Sequence, residues 1–210
     1  MTNTCLDILF EDADLLAVNK PPWLLSVPGR LPENKDSIAL RAEQAYGEIF
    51  VVHRLDCATS GVMLLAKTKL AQREINKQFH DRKTQKEYVA IGAGKAPSVK
   101  GEVQVPLIVD WPNRPRQKVD LVDGKFAHTL YEVLDEQNDQ VRMKLTPITG
   151  RSHQLRMHML HLGLPIIGDR LYAPEPIAAA SERMLLHAYK LTLTHPVTGD
   201  EVELTAPCDF

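Results

Sequence analysis

Short apolar runs separated by polar turns recur along the chain, and most of these runs are typical of β-strands. In residues 6–22, LDILFEDADLLAVNKPP, two such runs flank an acidic turn, and two prolines end the second run. In residues 141–145, VRMKL, apolar and cationic positions alternate, so we expect one face of this strand to contact water. Further runs with strand character are KEYVAIGAG, EVQVPLIV, TLYEVLDE, RMLLHAYKLTLTHP and EVELTAP.

Only a few segments show the period of an α-helix. Residues 36–47 predict a helix with Asp36 or Ser37 as its N-cap and Gly47 at its end. A second helix is predicted to begin after Thr68. It continues to about residue 79 and carries apolar residues at helical spacing, namely Leu70, Ala71, Ile75 and Phe79.

Length and composition fit one globular domain with a sizeable core. The chain has 210 residues, of which 44% are hydrophobic and 25% are charged. We find no Gly/Ser-rich linker and no internal repeat that would divide it. The sequence therefore predicts a single α+β domain over residues 1–210, built on a mixed, largely antiparallel central sheet with few helices.

Charge, cysteines and targeting signals narrow the class of protein. The net charge is −2, which argues against nucleic-acid binding through global charge but leaves room for a local basic patch. Cys5, Cys57 and Cys208 form no CxxC pair, so we expect neither a disulfide framework nor a structural zinc site. The sequence shows no signal peptide and no apolar run of roughly 20 residues, which predicts a cytoplasmic protein without membrane association.

A cluster of charged and small polar residues, HRLDCATSG at 53–61, lies between two runs that predict strands, residues 51–52 and 62–66. Arg54 and Asp56 are two residues apart, so in an extended segment their side chains share a face. This would place a cation and an anion together at a strand end. The alternative is a turn aspartate that hydrogen-bonds its own backbone.

A third predicted helix, RSHQLRMHMLHLG at 151–163, has Ser152 as its N-cap and an apolar stripe of Leu155, Met159 and Leu162. Arg156 lies at the edge of this stripe, where it could reach a partly buried carboxylate. It could equally be a surface arginine whose stem covers the core. The helix region also contains three histidines whose spacing lacks a metal-ligand pattern, so we predict no metal site: His153, His158 and His161.

Four linked motifs resemble those of the RluA-type pseudouridine synthases. HRLDCATSGVMLLAK resembles the catalytic motif of this family. The resemblance continues through LLAVNKPPWLLSVPG, KEYVAIGAG, ITGRSHQLRMHMLHLGLPIIGDRLY and LLHAYKLTLTHP, in the order of the family and over nearly the whole chain. We expect a catalytic domain without the S4-like RNA-binding domain that many family members carry.

The resemblance implies an RNA-modifying isomerase that uses no cofactor and no metal. Asp56 matches the catalytic aspartate of the family, and Arg156 matches the arginine that pairs with it. Tyr88 matches the tyrosine that stacks on the target base, and Leu186 is expected to form an apolar wall of the pocket. We expect Arg54 to occupy the space that the target uridine leaves when it flips out of its stack.

The implied substrates are a transfer-RNA anticodon stem-loop and a hairpin loop of 23S ribosomal RNA. The expected partner is therefore RNA, with no obligate protein partner, and we expect a monomer. Two basic stretches of the sequence supply the expected phosphate contacts, which are Lys77, Arg82, Lys83, Lys86, Arg114, Arg116 and Lys118.

Three other functions fit parts of the sequence. A non-catalytic RNA-binding or ribosome-assembly module could keep the same fold. A metal-dependent hydrolase could use the histidines. A glycosidase would need a pair of catalytic carboxylates, and the sequence suggests only Asp56.

Overall fold

The computed structural model describes residues 5–210. In chain order its elements are β1 Ile8–Glu11, β2 Leu15–Lys20, α1 Ile38–Tyr46, β3 Phe50–Val51, β4 Ser60–Ala66, α2 Lys69–His80, β5 Gln85–Ala93, β6 Lys100–Gln104, β7 Leu107–Val109, β8 Gln117–Val119, β9 His128–Gln137, β10 Gln140–Pro147, α3 Gln154–His161, α4 Glu175–Ala178, β11 Leu186–Thr194 and β12 Glu201–Thr205. Single 3₁₀ turns lie at Pro32–Asn34 and Trp111–Asn113. The predicted α+β class with few helices is confirmed.

The chain forms two compact units. The first unit extends to Lys86 and also contains His187–Asp209, and the second contains Glu87–Leu186 with Phe210. No composition change in the sequence indicated this division. The assignment of residues 1–210 to a single domain stays a prediction.

The sheet of the first unit is mixed. β2 pairs antiparallel with both β1 and β4, and β3 also pairs antiparallel with β4. β11 runs parallel to β4 and antiparallel to β12. All seven residues of β4 are buried, and α2 contributes Ala71 and Ile75 to the hydrophobic cluster that β4 shares with β2, β11 and β12.

Side-chain caps fix the two helices of the first unit as the sequence predicted. Ser37 Oγ accepts a hydrogen bond from Leu40 N, and Thr68 Oγ1 accepts one from Ala71 N. Gly47 ends α1. In α2 the predicted apolar stripe is wrong at Leu70, which is 48% exposed.

The second unit contains an antiparallel sheet in the order β5-β10-β9-β6 and a separate two-stranded ribbon, β7-β8. In β10 the apolar residues are buried and the cationic residues between them are half-buried, which confirms the predicted alternation. Its neighbour α3 differs from the prediction. Residues 154–159 are all buried, so this helix has no single apolar stripe, and His153 rather than Ser152 occupies its N-cap position.

None of the helices within residues 5–210 is long and apolar enough to cross a membrane. No disulfide joins the three cysteines.

Candidate active site

Arg54 and Asp56 lie in an irregular segment, residues 52–59, between β3 and β4. This agrees with the predicted position of the charged residues between two strands, with no strand pairing over the segment itself. Leu55 between them is 7% exposed and belongs to the core, whereas Arg54 is exposed and Asp56 is half-buried. This alternation puts the cation and the carboxylate on the side opposite Leu55, as expected for an extended segment.

Ser26 supplies the hydrogen bonds that a neighbouring strand would otherwise give to this segment. Its buried Oγ donates to Leu55 O at 2.7 Å and accepts from Leu55 N at 3.0 Å. Both backbone polar groups of Leu55 are thereby satisfied. One side chain therefore fixes the backbone between Arg54 and Asp56.

Lys20, at the end of β2, holds the residue that follows Asp56. It is fully buried, and its Nζ donates to the carbonyls of Pro21, Leu24 and Cys57 at 2.7–3.0 Å. The Cys57 carbonyl also accepts from Trp23 N. The sequence did not single out Lys20, because lysine is rarely buried and is normally expected at the surface.

His53 anchors the start of the charged segment as a neutral ring. Its Nε2 accepts a hydrogen bond from Leu64 N at 2.9 Å, and the ring lies 5.2 Å from that of Phe79. Burial, with a smaller contribution from the nearby charge of Lys86, lowers the pKa of His53 to about 4. The Nε2 atom therefore stays an acceptor at neutral pH.

The junction of β4 and β11 is fixed immediately after this segment. His187 Nε2 lies 3.2 Å from the Ala206 carbonyl, which requires a proton on Nε2, so Nδ1 accepts from Ser60 Oγ at 2.8 Å. Gly61 next to it has a φ of +108°, and a Cβ there would collide with the carbonyl of Ala188. Only glycine allows the two strands to approach so closely.

In the second unit, Arg156 forms a buried bidentate ion pair. Its Nε and Nη2 donate to Oδ2 and Oδ1 of Asp169 at 2.8 and 2.6 Å, and the two side chains are 4% and 1% exposed. The alternative of a surface arginine is therefore wrong. The pairing with Asp56 that the family resemblance implies stays a prediction.

Sequence reasoning missed Asp169. It follows Gly168, whose φ of +80° and close contact with the Arg183 carbonyl exclude a side chain. Asp169 Oδ1 also accepts from Leu171 N at 2.9 Å, so the carboxylate is fixed by its own turn as well as by Arg156. The Gly-Asp pair was a turn signal, but nothing in the sequence connected it with an arginine 13 positions earlier.

Two further predicted site residues lie on strands. Tyr88 is half-buried on β5, opposite Leu145 of β10. Leu186 is the first residue of β11 and is 3% exposed. Their roles in binding a base stay predictions.

A comparison with known proteins decides the family. The family model of RNA pseudouridylate synthases matches residues 14–161, well over half of the chain. The chain belongs to the RNA pseudouridine synthase family. The dual-specificity RNA pseudouridine synthase RluA of Escherichia coli K12 is 52% identical over 206 residues, which cover 98% of this chain and 94% of that protein. RluA of Haemophilus influenzae is 49% identical with the same coverage.

Solved structures agree with this assignment. Human RNA pseudouridylate synthase domain containing 1 superimposes with a TM-score of 0.83 at 25% identity, covering 97% of this chain and 84% of that one. The human domain-containing-4 protein gives a TM-score of 0.77 at 28% identity, covering 96% and 88%. The protein is thus an RNA pseudouridine synthase, and its predicted class of activity is confirmed.

The histidines of α3 in this pseudouridine synthase differ in exposure. His158 is 2% exposed, its Nδ1 lies 2.9 Å from Thr129 Oγ1, and burial lowers its pKa to about 4. His161 is exposed. Within residues 5–210, no three His, Cys, Asp or Glu side chains are grouped so that they could hold a metal ion.

The predicted phosphate contacts of the synthase form two groups, one in each unit. In the first, Lys77, Arg82 and Lys83 are exposed, whereas Lys86 is half-buried and its pKa is lowered by burial and then by Arg82. In the second, the exposed cations lie in the connection between β7 and β8 or on β8: Arg114, Arg116 and Lys118. Lys86 is therefore the least suitable of the seven for a phosphate contact.

Proposed function

We propose that this enzyme converts uridines in folded RNA loops to pseudouridine, with Asp56 as the catalytic carboxylate and Arg54 as the residue that replaces the flipped base. One observation carries the proposal: Ser26 binds both backbone groups of Leu55 and thereby presents Arg54 and Asp56 on one side of a fixed segment. A catalytic pair needs such a rigid support.

The reaction is an isomerisation. The bond between uridine N1 and the sugar C1′ breaks, the base turns, and C5 bonds to C1′; the proton on C5 is released and N1 takes up a proton. The atoms balance without a redox partner, so the proposal includes neither a cofactor nor a metal. Asp56 supplies the anionic group close to the reacting base or sugar.

The other site residues have supporting roles in this proposal. A uridine in folded RNA is flipped out at a cost of a few kcal/mol, and the exposed, planar guanidinium of Arg54 suits the vacated stack. Tyr88 stacks on the flipped base and Leu186 provides an apolar wall. Arg156 acts as the cation that partners the catalytic carboxylate, and Asp169 fixes its orientation.

The substrates proposed are a transfer-RNA anticodon stem-loop and a hairpin loop of 23S ribosomal RNA. The RluA relatives are named dual-specificity RNA pseudouridine synthases, which supports more than one RNA substrate. An enzyme that accepts two different RNAs must recognise what they share, and a short deformable loop lets bases splay outward easily. We propose that the enzyme works as a cytoplasmic monomer without an obligate protein partner.

A tritium-release assay tests the proposal. A minimal anticodon stem-loop carrying tritium at uridine C5 should release tritium to water with the wild-type enzyme. Arg54→Ala should slow this release strongly, whereas Arg73→Ala, at an exposed arginine that pairs with Glu74, should not. If the wild type binds the stem-loop but releases nothing, the non-catalytic RNA-binding module becomes the better interpretation. If Arg54 is dispensable, its base-replacing role is wrong.

A further inference from the structure

A groove of about 390 Å³ lies in the second unit, between the β7-β8 ribbon and α3. The apolar side chains along it are Val119, Met157 and Leu160, and the ring of Tyr172 also lines it. Its volume is at the low end of the roughly 300–1,000 Å³ of ligand pockets, which suits one planar group rather than a helix. Asp56, Tyr88 and Leu186 are not among its lining residues.

The walls of this groove are joined by Tyr172. Gln117 N, on β8, donates to Tyr172 Oη at 2.7 Å, and His153 Nδ1, just before α3, lies 2.6 Å from the same oxygen. The hydroxyl thus ties the ribbon to the start of the helix. A groove with walls fixed in this way is preformed, and a ligand need not order them on binding.

Positive charge lies along the ribbon side of the groove. Arg116 and Lys118 line it and are exposed, and Lys118 is 3.5 Å from Asp120. Asp110 also lines the groove, and its carboxylate accepts a hydrogen bond from Asn113. An apolar floor beside two cations matches a nucleotide, whose base is flat and apolar on its faces and whose phosphate is anionic.

The groove also connects with a residue assigned to the reaction. The guanidinium of Arg156 lies 4.9 Å from the centre of the Tyr172 ring, while the same arginine is paired with Asp169. A group bound against Tyr172 would therefore be one side chain away from Arg156.

We propose that this groove holds a second nucleotide of the substrate RNA, its base against Leu160, Met157 and Tyr172 and its phosphate against Arg116 and Lys118. The inference rests on the proposed function and deepens it, because it assigns a nucleotide outside the target uridine to a defined site. Recognition of the loop would then depend on two bases that leave the stack. This would favour deformable loops over rigid duplexes.

The test combines groove variants with abasic RNA. Leu160→Glu places an anion in the groove, and Leu160→Trp fills it without adding charge. Leu40→Glu is the matched control, since Leu40 is also a half-buried helix leucine that lines a pocket, in the first unit. Circular dichroism establishes that each variant is folded, and fluorescence anisotropy measures its Kd for stem-loops in which one loop nucleotide at a time is abasic.

We expect one abasic position, other than the target, to weaken wild-type binding about tenfold, within the range for stacking of a base on an aromatic ring. Both Leu160 variants should weaken binding of the intact loop by a similar factor and should lose no further affinity at that position. The Leu40 variant should behave as the wild type does. The proposal is overturned if neither Leu160 variant weakens binding. It is also overturned if, at every loop position, the affinity loss from a Leu160 variant adds to the loss from the abasic nucleotide, because the groove then does not hold a base.

Failure of the proposed function has a different signature. Tritium release from the intact loop by the wild type tests the substrate, whereas the abasic series measures binding alone. Coupling between Leu160 and one abasic position without tritium release would reject the stem-loop as a substrate and leave the groove as a nucleotide site.

Discussion

Removing the carboxylate of Asp169 should destabilise the protein far more than the same change at Asp36. Both aspartates form bidentate pairs with an arginine, at 2.8 and 2.6 Å for Asp169–Arg156 and at 2.8 and 2.7 Å for Asp36–Arg41. Arg156 and Asp169 are 4% and 1% exposed, whereas Arg41 and Asp36 are 16% and 43% exposed. The chain thus offers two pairs of matched geometry and different burial.

The expected loss of stability follows from the contacts that an asparagine at this position keeps. In Asp169→Asn the remaining oxygen can still accept from Leu171 N, so that backbone donor stays satisfied. The amide group then faces a donor of Arg156, and the buried negative charge is lost. Breaking a buried pair costs about 3–5 kcal/mol, and we expect about 3 kcal/mol because the turn is retained. Asp36→Asn should cost less than about 1 kcal/mol, since the exposed pair is screened by water.

Urea denaturation of the two variants and the wild type, followed by circular dichroism, measures this difference. Asp169→Asn should also slow tritium release, because it loosens the orientation of Arg156, while Asp36→Asn should not. Equal losses of stability, or a larger loss at Asp36, would refute the argument that burial makes the Asp169 pair important.

Three further predictions concern the glycine, the histidine and the cations described above. Gly61→Ala should cost at least about 2 kcal/mol of stability, because its Cβ meets backbone, whereas Gly199→Ala, with a φ of +81° and open space, should cost about 1 kcal/mol in thermal denaturation. The pKa of His53 is about 4 in the folded protein and near 6.5 unfolded, so stability falls as pH drops through this window. His53→Gln should reduce the loss of folding stability between pH 7 and pH 5 by about 1–2 kcal/mol. Lys83→Ala and Arg116→Ala should each reduce the slope of log Kd against log salt concentration by about one, measured by anisotropy; unchanged slopes would remove these cations from the RNA interface.

Local signals in the sequence predicted the regular elements well. Ser37 and Thr68 cap their helices, and the alternation in VRMKL appears as the two faces of β10. These features depend on residues within a few positions of one another, so a short window contains the information. The α3 region failed for the opposite reason. Its polar residues are buried by contacts from distant parts of the chain, as Gln154 with Thr129 shows.

The sequence named the candidate site residues, whose roles stay predictions, but it did not reveal the groups that hold them in place. The family motifs named Arg54 and Asp56, but the groups that hold their segment lie far away in sequence: Ser26 is 29 positions from Leu55, and Lys20 is 37 positions from Cys57. A serine and a lysine are ordinary surface residues until tertiary contacts bury them.

Single-turnover tritium release by Asp56→Asn tests the central claim most directly. Asparagine keeps nearly the same shape and removes the anion, so RNA affinity should stay within about tenfold of the wild type while release falls to the level without enzyme. Appreciable release by the Asp56→Asn enzyme from the anticodon stem-loop would contradict the assignment of Asp56 as the catalytic carboxylate.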